Sequence, residues 1–165
     1  MSGVCVIGLG LPQGDDQLGW ELVRLLEKEV SVDESLRLFT CATPGGEVLE
    51  CWKDAELAIL VDAVRSDAPP GTVRRIALHP QPDLPELESV RTLTSHSLDL
   101  RELIALAAAL DQLPPHVVLF GVEMGAYAPF EPLSATVCTA LPGLAYAVRT
   151  EIDSFFSGDE LCKAQ

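Results

Sequence analysis

The chain is short of cations. Eleven lysines and arginines stand against 25 aspartates and glutamates, a formal net charge of −14 over 165 residues. A face that neutralises phosphates needs a basic stripe, so nucleic acid and an anionic membrane surface are poor partners. No apolar run approaches the ~20 residues that span a bilayer. The first residues hold no basic stretch, and Val4–Ile7 is too short for the apolar segment of a secretion signal. A cytoplasmic location is therefore expected. The five cysteines (Cys5, Cys41, Cys51, Cys138 and Cys162) are odd in number, scattered, and form no Cys-x-x-Cys pair. This argues against a disulfide scaffold or zinc knuckle and for reduced thiols. Also absent are a Gly-x-Ser-x-Gly elbow and a His-Glu-x-x-His helix. Ser95, His96 and Ser97 are adjacent in sequence, which supplies no triad geometry by itself.

What is present is a core. Apolar residues make up 48% of the chain, enough for one packed domain, expected over residues 1–158 with a polar tail at 159–165. Val4–Ile7 reads as a central strand, apolar on both faces, with Gly8 and Gly10 forming a tight turn. From Gln17 to Val30, leucines recur at helical spacing with one buried face. Leu36–Cys41 is a second strand candidate, and a short helix is expected near Glu47–Trp52. Leu57–Val61 is the clearest strand, ending in Asp62. Thr72–Leu78 reads as a strand whose arginine pair suits an edge.

Three prolines between His79 and Glu88 suggest an irregular excursion. A helix is expected from about Leu98 to Leu110, capped by Asp99 with Glu102 or by Ser97. Val117–Val122 is a buried strand ending at Glu123, followed by a loop over Gly125–Pro132. Ser134 caps a last helix that Pro142-Gly143 is expected to kink or split. Strands alternating with helices give an α/β three-layer sandwich: a mostly parallel, twisted sheet of about five strands with helices on both faces.

In such sheets ligands bind beyond the carboxyl ends of the strands. Asp16 follows the first strand, Asp62 ends the third, and His96 precedes a helix. Two carboxylates and an imidazole form a mixed O/N donor set suited to a divalent transition metal with positions left open. Each residue also has an ordinary structural reading. Asp16 can complement the helix dipole, Asp62 can be a strand-end turn residue, and His96 can be a satisfied loop histidine. A dinucleotide site fits less well. Gly8-x-Gly10 is followed by Gly14, one position late, and Asp15 and Asp16 would repel a pyrophosphate.

Several stretches carry a resemblance by their order and spacing. They are Gly8-x-Gly10…Gly14-Asp15-Asp16-x-x-Gly19, Leu60-Val-Asp62-Ala63-Val64, Gly71-Thr72, Ser95-His96-Ser97-Leu98, Leu119-Phe-Gly-Val-Glu123, Leu133-Ser134-x-x-Val137 and Ala140-Leu141-Pro142. Together they resemble the nickel–iron hydrogenase maturation endopeptidases, which trim the C-terminal extension of the hydrogenase large-subunit precursor once nickel is in place. The resemblance implies that Asp16, Asp62 and His96 are the metal-binding and catalytic trio. The nickel would come with the precursor, so the free protein is expected to carry none, or an adventitious divalent ion. Two positions depart from the family. Leu11 stands where an Asn usually follows the second glycine, and Thr40–Gly46 lacks the usual Asp. The second departure implies a subgroup with its own substrate specificity, or a weakened site. Two rival readings are a non-catalytic reader of the immature subunit and a nucleotide-binding α/β protein.

Overall fold

The computed structural model describes residues 3–93, 97–125 and 128–158. Within them Val4–Leu9 (β1), Leu36–Cys41 (β2), Leu57–Val64 (β3), Val73–Leu78 (β4) and His116–Glu123 (β5) form one sheet, in the order β2-β1-β3-β5-β4. All pairings are parallel except β4 against β5. β4 is an edge strand, as its arginine pair suggests. The helices are Leu18–Glu29 (α1), Gly46–Cys51 (α2), Leu84–Leu93 (α3), Ser97–Ala109 (α4) and Ala135–Phe156 (α5).

Alternation along the strands divides the core into two layers. Val4, Val6, Leu57, Ile59 and Val61 pack with Leu18, Leu22 and Leu26 of α1 and Leu144, Val148 and Ile152 of α5. Cys5, Ile7, Ala58, Leu60 and Val64 pack with Val48 of α2, Val90 of α3 and Leu100 and Ile104 of α4. Helices thus cover both faces, and the interior strands carry apolar residues on both sides.

Five sequence expectations need correction. Gly8 belongs to β1, so the turn is made by Gly10 and Gly14, both at positive φ. β3 does not end at Asp62. β5 pairs with it through Asp62–Gly121, Ala63–Val122 and Val64–Glu123, carrying Asp62 inside the sheet. The proline-rich stretch after His79 contains α3. Pro85 lies in its first turn, where a missing N–H costs nothing. Asp83 Oδ1 accepts from Glu86 N (2.9 Å) while Glu86 Oε2 accepts from Asp83 N (3.0 Å), a reciprocal cap. α4 begins at Ser97, which puts Asp99 within its first turn rather than at its cap. Finally, α5 is one helix through Pro142, so the split that Pro142-Gly143 suggests does not occur. An interior proline costs about 3 kcal/mol. The buried stripe Val137, Leu144, Ala145, Val148 and Ile152 outweighs that, at about 1.5–3 kcal/mol for each large side chain. Ser134 caps α5 as expected, its Oγ accepting from Val137 N.

Candidate active site

The carboxyl edge is built by the connection from β1 to α1. Gly10 (φ +130°) leaves the strand, and a Cβ there would lie 2.0 Å from Asp16 O. Gly14 (φ +53°) opens a single 3-10 turn over Gly14–Gln17, and α1 follows at once. The Asp16 carboxyl folds back over this loop and accepts from Leu11 N at 2.8 Å. Its side chain is therefore held by the turn that presents it, and it is 3% exposed.

A second close approach fixes the turn against the sheet. A Cβ on Gly8 would meet Gly19 O at 2.2 Å, and one on Gly19 would meet Leu9 N and Val61 O, both at 2.8 Å. The start of α1 thus sits main chain on main chain over β1 and β3. Val61 precedes Asp62, so Asp16 and Asp62 are brought to the same edge. Asp62 is 2% exposed and shares strand parity with Leu60 and Val64, the face covered by α2, α3 and α4. α4 leads into the start of β5, so its own beginning lies toward the carboxyl edge on that face. His96 directly precedes it and lies outside the described residues, as do the tail 159–165 and Cys162. Among the described residues no group of three His, Cys, Asp or Glu side chains is placed to hold a metal.

Two further buried carboxylates have structural partners that the sequence does not reveal. Asp15 accepts from Gly125 N (2.7 Å), Ser134 N (2.6 Å) and Ser134 Oγ (2.8 Å), lashing the β5–α5 connection to the β1–α1 loop. Glu131 O completes the lashing by accepting from Gly14 N and from Gln17 Nε2, each at 2.9 Å. Glu123, at the end of β5, accepts from Ser66 N and Ser66 Oγ, both at 2.8 Å, and pins the loop after β3. The cap residue Ser134 was legible from sequence, but its bond to Asp15, 119 positions away, leaves no local pattern.

Thiol chemistry at this edge is disfavoured. Burial, with Cys51 close by, pushes the Cys41 thiol up to about 12, and its Sγ lies 3.8 Å from that of Cys51. Toward the opposite, amino end of β1, burial likewise pushes the Cys5 thiol up to about 12. A nucleophilic cysteine needs the thiolate, which these sites suppress. The edge instead offers carboxylates, which can ligate a metal or act as a general base.

Comparison with known proteins gives a consistent set of relatives. The family model for hydrogenase maturation protease matches residues 20–151, a span that holds Asp62 and His96 and begins just after Asp16. Over 121 residues the chain is 27% identical to the hydrogenase expression/formation protein HupD of Thiocapsa roseopersicina, covering 73% of this chain and 53% of that one. It is 25% identical to HoxM of Azotobacter vinelandii over 73% of this chain and 57% of the relative. The chain thus spans about half the length of these curated relatives. Among solved structures, the hydrogenase maturating endopeptidase HybD from E. coli superposes with a TM-score of 0.78 at 22% identity, covering 94% of each chain. The hydrogenase 2 maturation peptidase from a Thaumarchaeota archaeon gives a TM-score of 0.68 at 27% identity, covering 92% of this chain and 98% of that one. No helix among the described residues is long and apolar enough to cross a membrane. With the match covering most of its length, the chain belongs to the hydrogenase maturation protease family.

Proposed function

We propose that the protein is a cytoplasmic endopeptidase that removes the C-terminal extension of a nickel–iron hydrogenase large-subunit precursor, with Asp16, Asp62 and His96 as its site. The observation that carries this reading is the delivery of two buried carboxylates, Asp16 and Asp62, to one sheet edge by separate elements. Family membership supplies the reaction class. The precursor brings its own bound nickel, against which an O/N donor set of this kind completes a coordination shell. Recognition of that nickel would restrict cleavage to a loaded precursor.

Hydrolysis asks little else of the chain. A carboxylate takes a proton from water as the water oxygen attacks the scissile carbonyl. The proton then passes to the departing amine, freeing the C-terminal peptide. The bond from Leu11 N orients the Asp16 carboxyl, which suits a group that must meet an incoming centre in fixed geometry.

The test compares nickel-loaded and nickel-free precursor after incubation with the protein, read by mass spectrometry. Loss of a C-terminal peptide from the loaded form alone is expected. Asp16→Asn, Asp62→Asn and His96→Ala should each fold and leave the precursor full length. Equal cleavage of both forms would contradict nickel-gated recognition, and full cleavage by a folded His96→Ala would remove that residue from the site. Capture of loaded precursor without any shortening would favour a non-catalytic reader.

A further inference from the structure

Ala128 to Glu131 form a β-turn closed by Glu131 N donating to Ala128 O at 3.3 Å. Pro129 occupies its second position and Phe130 its third, with φ +65°. Proline cannot adopt positive φ, so this combination is the type II arrangement. Its third position favours Gly or Asn because an L side chain is strained there, and a bulky aromatic is a marked outlier.

The Phe130 side chain adds no packing within the described molecule to offset that strain. The Phe130 residue is 98% exposed, more than any other large apolar residue described. Other exposed apolar side chains, such as Leu106 and Tyr146, sit on helix surfaces with ordinary backbone. The turn is also firmly placed. Glu131, the next residue, accepts from Gly14 and Gln17, and Asp15 binds both ends of the connection at Gly125 and Ser134. Pro129 and Pro132 stiffen it further. Phe130 is thus a rigidly mounted aromatic, fastened through one residue to the 3-10 turn that carries Asp16.

We propose that Phe130 is a docking residue that inserts into an apolar pocket of the precursor polypeptide and sets it against the carboxylate edge. The inference rests on the proposed function for its partner. Preorganised aromatic anchors lose little conformational freedom on binding and dominate interface energetics. A strained residue whose ring packs on nothing in the free protein gains its contact in the complex.

The experiment uses the full chain and nickel-loaded precursor, measuring Tm, kcat and KM, and Kd by biolayer interferometry against immobilised precursor. Phe130→Gly and Phe130→Asn should keep or raise Tm, because both fit positive φ. They should raise KM and Kd by about tenfold or more while kcat is largely retained. Phe130→Trp should keep wild-type affinity. Unchanged KM and Kd in the glycine and asparagine variants would overturn the proposal. A marked fall in their Tm would also overturn it, by showing that Phe130 packs within the protein. If the wild type binds precursor without cutting it, the endopeptidase reading fails, while weakened binding by Phe130→Gly still supports the docking role. If the wild type does not bind at all, both fall.

Discussion

Replacing Asp15 separates the architecture of the edge from its chemistry. Asp15 is fully buried and gathers two backbone amides, Gly125 N–H and Ser134 N–H, together with the Ser134 hydroxyl. In Asp15→Ala the hydroxyl can rotate toward another acceptor, but the two amides are fixed by the chain. A buried donor left unsatisfied costs about 1–3 kcal/mol, so the two together cost about 2–6 kcal/mol. At this chain length a mid-range loss corresponds to a fall in Tm of about 12 °C. Asp15→Asn keeps one oxygen acceptor but turns an NH2 toward groups that donate, and should lose about half as much. Urea unfolding followed by far-UV circular dichroism gives the free energy. Amide exchange should show lost protection at Gly14 and Ser134, where the lashing comes apart. An Asp15→Ala protein melting within about 2 °C of wild type would refute the reasoning. A stable variant that cleaves nothing would move Asp15 from the scaffold into the reaction.

The glycines and thiols give two independent checks. Gly8→Ala and Gly19→Ala should fold poorly, because each new Cβ would press on backbone atoms at 2.2 Å and 2.7 Å respectively. Gly143→Ala in α5, where nothing lies within 4 Å, should be neutral or stabilise by about 0.5–1 kcal/mol, as differential scanning calorimetry will show. Cys5 and Cys41 hold their protons up to about 12, against an ordinary value of 9.0. Below pH 9 both folded and unfolded chains are protonated at these sites and the stabilisation is complete. Between pH 9 and 12 the unfolded chain ionises first, so the urea midpoint should fall with rising pH. A Cys5→Ala/Cys41→Ala protein should show a shallower decline. A slope equal to that of wild type would mean the thiols are not responsible.

Much of this architecture can be read from the chain because parallel strands buried on both faces carry continuous apolar runs. Val4–Ile7, Leu57–Val61 and Val117–Val122 were recognisable for that reason, and the helical spacing after Gln17 was equally plain. The end of β3 was not. Asp62 looks like punctuation in sequence, but pairing with β5 carries β3 on to Val64, whereas β5 ends at Glu123 as its apolar run suggests. Prolines misled twice. At Pro85 the first turn of a helix has no use for the missing N–H, and at Pro142 the burial of α5 outweighs its loss. At the site, Asp16 and Asp62 could be placed at one edge because strand ends in an open sheet converge there. The partners of Asp15 and Glu123 come from residues far along the chain, and only folding brings them into register.

The main-chain contact between Gly8 and Gly19 has a consequence for how such a fold can diversify. An interface made of side chains adjusts by changing rotamers; one made of bare backbone has none to change. The connection from β1 to α1 therefore works as a jig that sets Asp16 relative to the sheet. Variation is left to what surrounds the jig: the Thr43–Gly46 connection and the turn bearing Phe130. Evolution can rewrite those segments while the carboxylate keeps its station.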